Sequence, residues 1–166
     1  LGTMVANLSS HKKGWDDRWK EFSEWADKGK KIQNELLHLV DEDTNAYKEI
    51  IAAYALPKVT EEEKKIRKTT IAKATKLATL VPFRVMQTAF RGYEVIREMI
   101  AKGNPNSVTD AGVGALAIRS CIKGAFLNVK INLSGLNDKE FVEQILIDGE
   151  AIDKESESIE AEIIAV

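Results

Sequence analysis

Helical periodicity extends over nearly the whole chain, and only three prolines interrupt it. Apolar residues recur at steps of three and four, the spacing that places side chains on one face of an α-helix. Pro57 and Pro105 lie in two clear breaks, at residues 55–59 and 102–106. The third proline, Pro82, lies inside a helical segment, where it removes one backbone hydrogen bond and is expected to kink the axis.

The breaks and the helix-start signals divide the chain into a few long helices. Thr60 and Ser107 each begin a capping-box pattern, and Asn137-Asp138 is a good start for the last helix. Residues 126–133 also alternate as a strand would, but no other segment could pair with them. We therefore predict an all-α, antiparallel bundle of about four to five helices, in a single domain spanning residues 1–166.

In the first long segment the apolar spacing predicts one buried face and draws attention to Asp43. That face would include Leu36, Val40, Tyr47, Ile50 and Tyr54, and Asp43 falls between them where a leucine would be expected. A buried carboxylate is costly unless it is paired or neutralised, and burial suits it to proton transfer. Alternatively the stripe centres on residues 37, 44 and 51, which leaves Asp43 at its wet edge.

Composition excludes several classes of protein. Lys and Arg number 24 against 26 Asp and Glu, a net charge of −2, whereas a dedicated nucleic-acid binder is expected to be basic. Cys121 is the only cysteine, so an intramolecular disulfide is impossible. We find no apolar run long enough to span a bilayer and no signal pattern, and we expect a cytoplasmic protein that binds neither nucleic acid nor membrane.

Several polar clusters are weaker candidates for a site. Asn104 and Asp110 lie near a predicted helix start, which suits an anion but is equally explained by capping. Asn128 and Asn132 share a helix face and could bind a heterocycle, or could form an interhelical contact. Lysines from Lys58 to Lys76 could meet an acidic ligand tail, although most are expected on a solvated face. We predict no metal site, because neither histidine has partners at ligand spacing.

Four ordered stretches carry a resemblance to a known family. They are residues 39–47 (LVDEDTNAY), 56–58 (LPK), Gly103-Asn104 with Thr109-Asp110, and 124–133 (GAFLNVKINL). Their order and spacing resemble the cyclodeaminase/cyclohydrolase family, the helical domain of formiminotransferase-cyclodeaminase. The resemblance covers about residues 1–150.

The resemblance implies a helical homodimer. Its substrates would be one-carbon tetrahydrofolates, with or without a polyglutamyl tail. The reaction would be cyclisation of 5-formiminotetrahydrofolate to 5,10-methenyltetrahydrofolate with release of ammonia, or the cyclohydrolase reaction of the methenyl compound. No cofactor beyond the folate is implied. The family's catalytic aspartate falls on Asp43, and the resemblance suggests substrate contacts for the polar residues already singled out: Lys58, Asn104, Asp110, Asn128 and Asn132.

The chain also departs from the family pattern. Its relatives usually carry a Gly-rich turn and an Ala-rich helix before the point that corresponds to Leu1. We expect such a segment to precede this sequence and to bear on its activity. His11 stands where a glycine is common. A non-catalytic helical dimer that serves as a scaffold is the alternative of a different class.

Overall fold

A computed structural model describes residues 1–165, and it confirms the all-α prediction for them. The helices are α1 (Gly2–Ser10), α2 (Trp19–Ala55), α3 (Glu61–Lys102), α4 (Val108–Leu133) and α5 (Lys139–Ile164). A 3₁₀ turn, Pro105–Ser107, leads into α4. No strand occurs within these residues, so the strand alternative for residues 126–133 is wrong.

Helix α3 is the centre of the bundle. It packs against α2 on one side and α4 on the other, and α5 lies against α3 and α4. The short α1 contacts α2, α3 and α4 at one end. The helix continues through Pro82, which is buried. The main core is built on Phe22, Met86, Tyr93 and Phe126.

Two of the three predicted caps form. Thr60 accepts a hydrogen bond from the Glu63 amide, and the Glu63 carboxylate accepts from the Thr60 amide, which completes a capping box. Asp138 caps α5 by accepting from the Phe141 amide. The Ser107 capping box is wrong: Ser107 is buried and its side chain makes no cap bond, because the preceding 3₁₀ turn already sets the entry into α4.

The predicted buried face of α2 is wrong for Val40, Tyr47 and Tyr54, whereas Leu36 and Ile50 are partly buried against the core. The side chains that pack inward are mostly smaller ones, while Val40 and Tyr47 are 62% and 63% exposed. The sequence carries two neighbouring apolar stripes on this helix, and spacing cannot tell which one meets a partner helix. The buried residues of α2 are Phe22, Ala26, Ile32, Leu39, Ala46 and Ala53.

One helix qualifies the expectation about membranes. Residues Pro105–Leu133 are long and apolar enough to cross a bilayer, judged by length and composition only. In the fold this segment packs between α3 and α5, and its Arg119 pairs with Asp153 of α5. About a third of the apolar stretch is buried inside the bundle.

Candidate functional site

An open groove runs between α2 and α4, with α3 as its floor. Its upper part encloses about 350 Å³ and ends against Leu1 and Gly2 of α1. Leu36 lies on the α2 wall and Cys121 on the α4 wall. Several lining residues have small side chains, which leaves the groove open. They are Gly29, Ala89, Gly92, Gly114 and Ala117.

Asp43 and Asn128 extend the two walls of this groove. Asp43 is seven residues beyond Leu36, and Asn128 is seven beyond Cys121. Seven residues are close to two helical turns, so each pair shares one face of its helix. Both polar side chains therefore lie on the groove side of their helices, about 10 Å further along than the enclosed part.

Ion pairs and hydrogen bonds fix the level of each wall on α3. Glu42 of α2 pairs with Arg84 of α3. Because the two helices are antiparallel, the next residue of α2, Asp43, is level with Phe83, the residue before Arg84. The same register is set by the pair between Glu35 and Arg91.

The α4 register is fixed in the same way. Asn132 donates to the Ala78 carbonyl at 2.9 Å, so Asn128, four residues before Asn132, is level with Pro82. Asp43 and Asn128 thus face the groove from opposite walls at one level.

The expectation that Asp43 is buried is wrong for the single chain. Its side chain is exposed, at the boundary between the buried residues Leu39 and Ala46 and the exposed residues Val40 and Tyr47. The alternative stripe, centred on residues 37, 44 and 51, is exposed as well, so it is also wrong, although it placed Asp43 in water as the structure does.

The neighbouring Glu42 has a different role. A hydrogen bond from Arg84 holds the pKa of the Glu42 carboxyl below its ordinary value, together with the charges of Arg84 and His38. Glu42 is thus a carboxylate that is engaged in the ion pair between α2 and α3. The acid on this helix that has no such partner and faces the groove is Asp43.

The other predicted site residues either make structural hydrogen bonds within the fold or lie far from Asp43. The Asn132 amide is already engaged with Ala78, which confirms the interhelical contact that the sequence left open. The Asn104 side-chain oxygen caps the 3₁₀ turn by accepting from the backbone N–H of Asn106 at 3.2 Å. The backbone N–H of Asn104 donates to Ser9 Oγ. The capping alternative is therefore confirmed for Asn104.

Asn104 and Asp110 do not belong to a pocket with Asp43 of the same chain. Asp110 is in the first turn of α4, opposite the C-terminal end of α3. From there to the level of Asn128 is eighteen residues of helix, about 27 Å. Within one chain the antiparallel helices carry these two residues to the end of the bundle away from Asp43, and their contact with substrate stays a prediction.

Lys58 lies at the other end of the molecule, in the exposed turn between α2 and α3. It lines a separate cavity of about 690 Å³ under the turn between α4 and α5. Most of the polar lining of that cavity is cationic, and apart from Lys58 the lysine and arginine side chains come from the first five turns of α3.

Cys121 contributes a half-buried thiol to the upper groove. Burial raises the pKa of this thiol, so the reactive thiolate is disfavoured. The expectation of a small packing residue is consistent with its place against the core.

Sequence reasoning missed one polar network, between α4 and α5. Arg119 pairs with Asp153 and donates to Ser156 Oγ at 2.9 Å, and Lys123 reaches Asp153 at 2.8 Å. Tyr93 of α3 donates to the Ser156 carbonyl at 3.3 Å. The available signal was a single arginine in an otherwise apolar stretch of α4.

The fold and the groove define the class of protein: an antiparallel helical bundle with a polar pair across an open interhelical groove. The chain matches the formiminotransferase-cyclodeaminase family over residues 1–150. A methenyltetrahydrofolate cyclohydrolase of Methylorubrum extorquens is 33% identical over 88% of this chain and 70% of its own length. The chain belongs to the formiminotransferase-cyclodeaminase family.

Two further relatives show how the domain is used elsewhere. The formimidoyltransferase-cyclodeaminase of Rattus norvegicus is 32% identical over 66% of this chain, and the match spans only 20% of that longer protein. The crystal structure of a formiminotetrahydrofolate cyclodeaminase from Thermotoga maritima superposes with a TM-score of 0.82 at 24% identity. That match covers 98% of this chain and 77% of the solved one, and it shows the shared fold.

Proposed function

We propose that the protein interconverts one-carbon tetrahydrofolates, and that its reaction is the cyclisation of 5-formiminotetrahydrofolate to 5,10-methenyltetrahydrofolate with release of ammonia. Family membership supports the substrate class. The observation that carries the choice of site is the placement of Asp43 and Asn128 on opposite walls of one groove, at the same level of α3. The proposal includes no cofactor besides the folate. It places the protein in the cytoplasm.

The chemistry needs one proton carrier near a carbon between two nitrogens. N10 attacks the carbon of the protonated formimino group, N5–CH=NH₂⁺, whose C=N π electrons move onto nitrogen, and N10 loses its proton; this gives a tetrahedral carbon bonded to N5, N10 and an amino group. The amino group then takes up a proton and leaves as ammonia, and the C–N bond to N10 gains double-bond character. Asp43 would accept the first proton and deliver the second, a role that typically contributes about 10²–10⁴-fold in rate.

Asn128 suits recognition of the pterin ring. An amide offers one acceptor and two donors, which matches the mixed donors and acceptors of a heterocycle edge. The open space beside it supports this assignment, because a Cβ added at Gly124, one turn earlier, would meet no atom within 4 Å. Asn132 would shape the groove through its bond to α3, which engages one N–H of its amide.

A second copy of the chain would complete the site. On α2 a stripe of large apolar side chains is more than half exposed: Leu37, Val40, Tyr47, Ile51 and Tyr54. It extends over seventeen residues, about 26 Å, and is longer than the scattered apolar residues that are normal on a monomer. We propose that this stripe pairs with its counterpart in a two-fold homodimer. Covering it would exclude water from the Asp43 carboxylate, which proton transfer near neutral pH requires.

The cyclohydrolase reaction is the second candidate. It is favoured by the coverage of the Methylorubrum relative, which this chain matches over 70% of its length against 20% for the bifunctional rat protein. In that reaction water adds to the methenyl carbon and gives a proton to the same carboxylate. The carboxylate would return a proton to N5 as the C–N5 bond breaks, which leaves the formyl group on N10 and releases one proton to solvent.

Purified protein tests these candidates directly. Loss of 5-formiminotetrahydrofolate with stoichiometric ammonia supports the deaminase, whereas conversion of the methenyl to the 10-formyl compound without ammonia supports the cyclohydrolase. Calorimetric titration with tetrahydrofolate addresses the scaffold alternative. No heat and no turnover of either substrate would refute the enzyme proposal.

A further inference from the structure

Pro82 leaves a buried carbonyl of α3 without its helical donor. In an α-helix each carbonyl accepts from the N–H four residues further on, so the donor to the Ala78 carbonyl would be residue 82. A proline nitrogen carries no hydrogen. Ala78 is only 6% exposed, and a buried acceptor that lacks a partner lowers the stability of the fold. The helix nevertheless continues through this position.

A side chain of the neighbouring helix supplies the missing donor. Asn132 of α4 donates a side-chain N–H to the Ala78 carbonyl, with an N···O distance of 2.9 Å. This is an ordinary length for such a bond. Because a carbonyl only accepts, the bond also determines that the NH₂ end of the amide faces α3. One residue thus removes a donor and the other replaces it, and we call these two residues the Pro82–Asn132 pair.

The pair lies at the end of the α3–α4 contact where the candidate site is. At the other end the two helices meet through glycines. A Cβ at Gly92 would come within 2.9 Å of Ile118 Cδ1, and one at Gly114 within 2.7 Å of Ile96 Cδ1. Asn132 is fourteen residues beyond Ile118, about 21 Å along α4. The glycine contacts are apolar and have no preferred direction, whereas the Asn132 bond has a defined length and direction.

Asn128 depends on this bond for its place in the groove. It lies one turn before Asn132 on the same face of α4, opposite Asp43. A bond that fixes α4 on α3 at Asn132 therefore also fixes the level of Asn128. Small displacements matter at such a site, since an error of about 1 Å in placing a reacting group can cost about 10²-fold in rate.

We infer that Asn132 is a positioning residue: by replacing the donor that Pro82 lacks, it holds α4 at the level where Asn128 meets the substrate opposite Asp43. The positioning role rests on the proposed function. The coupling between Pro82 and Asn132 concerns the fold alone and can be measured without turnover.

The coupling is tested by a double-mutant cycle on the full chain, with Tm measured by circular dichroism. With Pro82 in place, Asn132→Ala leaves the Ala78 carbonyl without a donor, and Tm should fall by about 3–10 °C. In the Pro82→Ala background the N–H of residue 82 can donate to that carbonyl. The same change at Asn132 should then lower Tm by less than about 2 °C.

Asn128→Ala is the matched control for Tm. Asn128 is the same residue type on the same helix face, and it is exposed. Its replacement should change Tm by less than about 2 °C in both backgrounds. If Asn132→Ala lowers Tm equally with and without Pro82, the two residues are not coupled and the inference is overturned.

The positioning role is tested in the Pro82→Ala background, where the Ala78 carbonyl keeps a donor. There Asn132→Ala should raise KM for 5-formiminotetrahydrofolate about fivefold and change kcat less than about twofold, because α4 loses its anchor while Asp43 is unchanged. A role in stability alone would leave KM unaltered, and that result would overturn the positioning role. A protein that turns over no folate would refute the proposed function and the positioning role together, whereas the Tm cycle would still decide the coupling.

A second cycle separates positioning from direct contact with the substrate. If Asn132 acts through Asn128, the two effects on KM do not add. In a chain that already carries Pro82→Ala and Asn128→Ala, Asn132→Ala should therefore change KM less than about twofold. A further fivefold rise would mean that Asn132 contacts the substrate itself, and it would overturn the positioning role.

Discussion

Gly149 of α5 lies directly against the ring of Phe126 in α4. A Cβ at position 149 would come within 2.5 Å of Phe126 Cε2 and 3.0 Å of Cδ2, closer than side chains approach in real structures. The absence of a side chain at this position therefore sets the distance between the last two helices. Phe126 is buried in the main core, so its ring has little room to withdraw.

We predict that Gly149→Ala lowers the free energy of unfolding by about 1–3 kcal/mol, the usual cost of overpacking a core. The change would occur although alanine favours a helix by about 1 kcal/mol. Thermal unfolding by circular dichroism measures it. Gly124→Ala is the matched control, since a Cβ there meets open space and should raise stability by up to about 1 kcal/mol. A stabilised Gly149→Ala variant would show that α5 is not held at this distance.

The role of Asp43 predicts a loss of turnover with the fold intact. Asp43→Asn should reduce kcat about 10²–10⁴-fold, because the amide cannot carry the proton, while helicity and Tm stay unchanged. Asp41→Asn is the control: it is an exposed acid of the same helix, two residues away and on another face. If the two variants turn over substrate at equal rates, Asp43 is not the proton carrier.

The open groove beside Asn128 predicts that bulk at Gly124 blocks the substrate. Gly124→Phe projects a ring from the α4 wall and should raise KM at least tenfold, whereas Gly124→Ala should leave KM near its original value. Both variants should fold, because position 124 is exposed and free of contacts. Unchanged KM in the phenylalanine variant would place the substrate elsewhere.

The homodimer proposal predicts that a charge on the α2 stripe separates the copies. Tyr47→Lys should shift the protein from dimer to monomer in sedimentation velocity and reduce turnover, since Asp43 would remain in water. Val59→Lys places the same charge on an exposed apolar residue outside the stripe and should leave the dimer intact. A stable dimer in both variants would argue for another interface.

The ion pair between Arg119 and Asp153 predicts a pH dependence of stability. Burial raises the pKa of Asp153, but hydrogen bonds from Arg119 and Lys123 and their positive charges outweigh it and hold this pKa below its ordinary value. A carboxyl whose pKa is lower in the folded state stabilises the fold above its unfolded pKa of about 3.9. That stability is lost as the pH falls through the lower folded value.

Asp153→Asn should therefore unfold at a lower temperature than the original protein at pH 7, and the difference should shrink as the pH falls below about 4. Differential scanning calorimetry across this range measures it. Glu157→Gln is the control, because Glu157 is 3.6 Å from Arg119 but 70% exposed, and exposed pairs contribute little. A constant difference at all pH values would show that the charge of Asp153 does not stabilise the fold.

The helices, the breaks and two of the three caps could be predicted from the amino-acid sequence. These depend on local chemistry: a proline ends or interrupts a helix, and Thr60 and Asp138 satisfy the amides of their own first turn. The order of the motifs also carried the family resemblance, because motif order is a property of the sequence and does not depend on how the helices pack.

Tertiary structure alone decided which stripe of α2 is buried and which candidate residues meet. Leu39 and Ala46 pack inward while Val40 and Tyr47 stay exposed, because α3 lies on only one side of a helix that has two apolar faces. Asp43 and Asn128 share one level of the groove although eighty-five residues separate them. Asn104, another predicted substrate contact, lies at the far end of the same chain, because antiparallel packing separates the two ends of α3 and sequence proximity controls only contacts within a helix or across a turn.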